Sequence, residues 1–150
     1  MIDLILDDHP VPILARKRVR IIASFIDYLI FLGFFFIMGV SFGERYTPEE
    51  GGIGFHLDGF PALGCILFWF LMFPITEGLN GQTLGKMLCK IKVIKNDHSK
   101  FSISNSLARR LFDFVDYLPF LGIVGIIVAS NNNLRQRVGD LVAKTIVVIK

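Results

Sequence analysis

Charge is scarce in this sequence. Asp, Glu, Lys and Arg make up 19% of the 150 residues, against about 25% in an ordinary soluble domain. That shortage argues against a soluble enzyme, and the apolar content excludes a disordered chain. Cysteine is nearly absent: Cys65 and Cys89 make no disulfide framework and no C-x-x-C pair. Histidine is equally thin. His9, His56 and His98 stand apart, so no His/Cys set has zinc spacing and no metal or other cofactor is expected. The bases do not alternate with surface aromatics, which speaks against nucleic acid as a partner. A nucleophile–base pair is also missing. Ser24 lies beside Asp27 but has no histidine, so an enzyme is not expected.

What fills the sequence is apolar: 53% hydrophobic residues, 15 Phe and a mean hydropathy of +0.58. The length allows one domain. Residues 1–20 form a basic leader containing Pro10 and Pro12, and Arg16, Lys17, Arg18 and Arg20 abut the first apolar run. That run, 21–42, would be roughly 33 Å long as a helix, enough to cross a bilayer and too long for a signal-peptide core. Residues 43–59 read as a loop. The second run, 60–79, starts near Pro61 and should kink at Pro74. Residues 81–106 are a polar, basic loop or hairpin in which 90–95 alternates as a strand, Asn96–Ser99 turns, and Lys100–Ile103 can return as a second strand. The final stretch, 145–150, is another strand, expected to pair with 91–95.

The third apolar region, 107–130, is broken. An amphipathic stripe runs to Leu118, Pro119 interrupts it, and 120–130 is too short to span alone. Lys and Arg number 4 in 1–20, 1 in 43–59, 7 in 80–110 and 4 in 131–150. The positive-inside rule therefore puts the 43–59 loop outside and the leader and 80–110 inside. A third segment that stays shallow keeps the 131–150 tail inside too, where its strand can reach 91–95. The expected fold is thus an all-α, single-domain membrane protein. It has two transmembrane helices, a third amphipathic or broken segment and a small cytoplasmic β element.

Four carboxylates sit in or beside the apolar runs: Asp27, Glu77, Asp113 and Asp116. A carboxylate in a bilayer is costly unless it is paired or faces a wet cavity. Arg20 and Asp27 share a helix face two turns apart, too far to touch, so each needs a partner from another helix. Arg20, Arg109 and Arg110 are the available counter-charges, all near the inner side. Arg20, Asp27, Glu77 and Asp116 are accordingly candidates for an ion or proton site, with Arg20 tuning the carboxylates. The same residues also read as a polar staple joining three segments. Gly81 to Lys86 (GQTLGK) shares glycines and a lysine with phosphate-binding loops, but its spacing and its position after a membrane helix fail that test. Gly81 instead fits a helix C-cap. Gln136 to Asp140 (QRVGD) fits a turn into the last strand, with Asp140 capping or pairing with Arg137.

Arg20-(x)6-Asp27, GQTLGK (81–86), IKV (91–93), Arg109-(x)6-Asp116-Tyr-Leu-Pro119 and QRVGD (136–140) occur in that order. Together they resemble the RDD family of small bacterial membrane proteins, over nearly the whole chain. The resemblance implies that the family's arginine is Arg20 and its first aspartate Asp27. The second aspartate matches either Asp116 or Asp140. Gly81, Thr83, Gly85, Lys86, Arg109, Arg137, Gly139 and Asp140 are its further motif residues. It also implies a multi-pass protein of the bacterial inner membrane with a cytoplasmic N-terminus, in contact with the lipid bilayer. Some members are linked to exchange of monovalent cations for protons, and with so few spans that activity requires a homo-oligomer or a membrane partner. The second reading is a non-enzymatic scaffold or accessory subunit.

Overall fold

A computed structural model describes residues 12–45, 54–97, 99–117 and 123–150, with 114–117, 123, 124 and 126 described by backbone alone. Readings that concern the leader up to residue 11, His98, the break at Pro119 and the side chain of Asp116 lie outside the described residues. The first apolar run forms α1 (Lys17–Phe42), which starts earlier than the run because Lys and Arg are themselves good helix formers. The second run forms α2 (Gly59–Phe70), a π turn (Leu71–Ile75) and α3 (Thr76–Asn80) in succession. Pro74 sits in the π turn, where the widened ring accommodates a residue without an N–H. The Thr76 amide bonds back to Leu71 and Phe73, and its hydroxyl takes the Met72 carbonyl. Both helical stretches are long and apolar enough to cross a membrane, and only 11% and 22% of their most apolar windows are buried.

The 43–59 segment is less plain than a loop: β1 (Glu44–Arg45) pairs antiparallel with β2 (Phe55–His56). Phe55 lies directly on Gly39 of α1, close enough that a methyl group there would overlap its ring. Between the two long helices the contacts are aromatic. Phe34 stacks on Phe68 with centroids 4.0 Å apart, and Phe73 meets Tyr28 at 5.4 Å.

Next come α4 (Leu84–Leu88), β3 (Ile91–Lys95), α5 (Ile103–Tyr117), α6 (Ile123–Ser130), α7 (Val138–Val142) and β4 (Thr145–Ile149). The expected pairing forms: β3 and β4 run antiparallel with Val93 opposite Val147. Lys100–Ile103 does not return as a strand. Residues 99–102 are irregular and lead into α5, where the Ser102 hydroxyl donates to Asn105. β3 has no vacancy for such a strand, since β4 holds one edge and the Val93 amide bonds to Gly81 on the other. The leader adds to β4 instead. Leu14 bridges Val148, Ala15 bonds to Val147, and Ile149 bonds to Ile13. The small core of Ala15, Ala23, Ile91, Val93 and Val147 lies beneath this sheet. The start of α1, the end of α3 and the last strand therefore share one end of the molecule.

Helix α5 is amphipathic, as its pattern predicts, but its polar stripe faces inward. Ser106 and Arg109 are buried while Leu111 is 66% exposed. A helix in water does the reverse.

The two helix–strand units, α4–β3 and α7–β4, are alike in a few key positions. Each carries Gln, Gly, Lys and Val at matching positions: Gln82, Gly85, Lys90 and Val93 in one, Gln136, Gly139, Lys144 and Val147 in the other. Gln82 donates to the Ile91 carbonyl and Gln136 to that of Thr145, both at 2.8 Å. Lys90 and Lys144 both adopt positive φ, 54° and 51°. Because Val93 faces Val147, a local dyad passes between them and exchanges the units.

Candidate functional site

The charged residues converge where α1, α3, α4, α5 and α7 meet. Gly81 opens this region by ending α3 in the left-handed conformation (φ 70°), and its N–H caps onto Glu77. The chain then turns into α4 tightly enough for Gly85 to lie against α1. A Cβ at Gly85 would stand 2.1 Å from the Ala23 carbonyl oxygen. At the matching position, a Cβ on Gly139 would stand 2.6 Å from the Arg109 carbonyl oxygen. The two glycines thus press the two units onto α1 and α5.

Glu77 is fully buried. Its Oε1 accepts from Lys86 Nζ at 2.6 Å and lies 3.5 Å from Arg109 Nη1, while Oε2 accepts from Arg110 Nη2 at 2.6 Å. Arg110 also donates to Asp113 at 2.8 Å and lies over the Phe73 ring, 4.8 Å from its centroid. Asp140 makes the second node. Arg20 Nη2 meets its Oδ2 at 2.5 Å, Arg109 Nη2 meets its Oδ1 at 2.8 Å, and the Arg137 amide donates to Oδ2 at 3.1 Å. Arg20 also donates to the Arg135 carbonyl. Arg109 joins the two nodes.

Burial alone would raise Asp140, but Arg109 and Arg20 outweigh it and hold the carboxyl well below the usual range. Lys86 moves the other way. Burial lowers it, Glu77 pulls it back, Arg109 and Arg110 push it down again, and it comes to about 7.

Asp27 belongs to neither node. It is 2% exposed, and it accepts from the Thr83 hydroxyl at 2.5 Å and the Gly85 amide at 2.7 Å. It thereby caps the start of α4 from outside, where amides and helix dipole favour an anion. This corrects the expectation that Arg20 tunes Asp27. The two do share a face and do take partners from elsewhere, but the partner of Arg20 is Asp140. Arg109 and Arg110 act as counter-charges, as expected, and both reach Glu77. Glu77 is enclosed by these bases and does not reach the surface. Asp140 proves more than a turn residue, and Lys86 more than a loop lysine. The sequence marks both as motif residues and Asp140 as a candidate second family aspartate, but it does not place either in the buried ion pairs, although each follows a glycine in a similar pattern. Among the described residues, no three His, Cys, Asp or Glu side chains are grouped to hold a metal. Cys65 and Cys89 are free thiols, as expected.

Two exposed helices long and apolar enough to cross a membrane, with a buried cluster of ion pairs at one end, define a small, mostly helical protein that resembles a membrane protein. A model of the RDD family matches residues 14–144, and the chain belongs to the RDD family. No curated protein and no solved structure matches it.

Proposed function

We propose that this chain is a non-enzymatic scaffold or accessory subunit of the bacterial inner membrane, with both termini cytoplasmic, and that its charged cluster is a lock. One observation carries this reading. Glu77 and Asp140 are each bound by bases arriving from at least two other elements, so the cluster ties five helices at one end. Buried carboxylates already bound by several bases favour a fixed arrangement over the binding of a passing ion. The basic leader and tail at that end suit an anionic inner leaflet. Its partners are then the lipid bilayer and other membrane chains, a further copy of itself included.

A second reading, exchange of monovalent cations for protons, rests on Asp27. Its oxygens are held by neutral donors, which a cation could displace more easily than an arginine. Proteoliposomes with an internal pH dye separate the two. The lock reading expects no proton movement when Na⁺, Li⁺ or K⁺ is added to well-folded wild type. Cation-driven flux that is lost in Asp27→Asn at unchanged stability would overturn it.

A further inference from the structure

We infer that Lys86 is a proton-binding site, whose amine gains and loses a proton while the arginines around the same carboxylate stay charged. The inference stands whether or not the chain moves ions.

Geometry carries it. Three bases crowd one buried carboxylate: Lys86, Arg110 and Arg109 lie 2.6, 2.6 and 3.5 Å from Glu77. The groups facing this cluster come from every element packed there. Among the described residues, helix α1 supplies Arg20, Asp27 and Tyr28, and α3 supplies Glu77. Helix α5 supplies Arg109, Arg110 and Asp113, and α7 supplies Asp140, with Arg137 just before it. Among the described residues, the connected ion pairs join four bases, Lys86, Arg20, Arg109 and Arg110, to three carboxylates, Glu77, Asp113 and Asp140, so these pairs hold one positive charge in surplus. Asp140 cannot absorb that surplus, since Arg20 and Arg109 already share it. Asp113 is bound to Arg110, and Asp27 is turned toward Thr83 and Gly85.

A surplus buried charge is costly, and the cheapest relief is loss of a proton. Arginine does not release its proton in proteins, whereas a buried lysine does so readily. A neutral amine at Lys86 still donates to Glu77, so the contact survives the change. The lowering of Lys86 to about 7 agrees with this charge count. The two similar units add an independent sign. Lys86 and Asp140 follow the matched glycines, so one structural position carries a base in one unit and an acid in the other. Asp140 completes its node, whereas Lys86 overfills the node at Glu77.

The test is a pH titration of the full chain, labelled at the lysine side chains with ¹⁵N and ¹³C and held in nanodiscs, read by NMR. One lysine signal should titrate with a midpoint between about pH 6 and 8. That signal should vanish in Lys86→Arg. If Lys86→Arg does not fold, a chain with its seven other lysines changed to arginine leaves Lys86 as the sole reporter. A Lys86 amine that stays charged through about pH 9.5, in either form, overturns the inference.

Discussion

Asp140 receives arginines from two helices, so replacing it with Asn takes the buried carboxylate from Arg20 and leaves Arg109 only the longer contact to Glu77. Removing one partner of a buried pair costs about 3–5 kcal/mol. Asp140→Asn should therefore lower the denaturation midpoint strongly in detergent, where an exposed pair such as Lys95–Asp97 should lose almost nothing. Lys86 makes a prediction of opposite sign to that of a stabilising ion pair. Its folded value of about 7 lies below the unfolded value near 10.4. Between the two, the unfolded chain holds more protons, so stability rises with pH across that window, and below about 7 the full penalty applies. Thermal melts at about pH 7 and 9 should show the rise, and Lys86→Met should flatten it.

At the scale of elements, contacts between helices depend on small residues. Gly85→Ala would drive a methyl group into the Ala23 carbonyl and part α4 from α1, at about 1–3 kcal/mol. The Asp27 cap should loosen with it, seen as faster hydrogen exchange at the Gly85 amide. Much of this level was legible in the sequence. The two long helices follow from run length, the interruption of the second from Pro74, though as a π turn where a kink was expected, and the β3–β4 pair from two β-branched runs. The strand expected at Lys100–Ile103 was not, because alternation in a short segment cannot reveal that both edges of its intended partner are taken. The charge pairing was legible only in part. Spacing showed that Arg20 and Asp27 need partners, but the choice of Asp140 depends on how α7 packs on α1 and α5.

For the whole molecule, the two similar helix–strand units are the organising fact. They were present in the sequence, yet the matched residues are few and separated by unlike ones. Matching hydrogen bonds at Gln82 and Gln136, and matching backbone at Lys90 and Lys144, made the relation plain. Twin positions should behave as twins. Gln82→Ala and Gln136→Ala each leave a buried carbonyl without its donor, at about 1–3 kcal/mol apiece. Comparable losses in the two single variants by chemical denaturation would support equivalence, and a large asymmetry would count against it. A symmetric homodimer of half-length chains, joined through the same strand, must repeat every residue. Lysine and aspartate could then never stand at corresponding places. Two similar units within one chain are free of that identity, so one structural position can hold a lysine in one unit and an aspartate in the other.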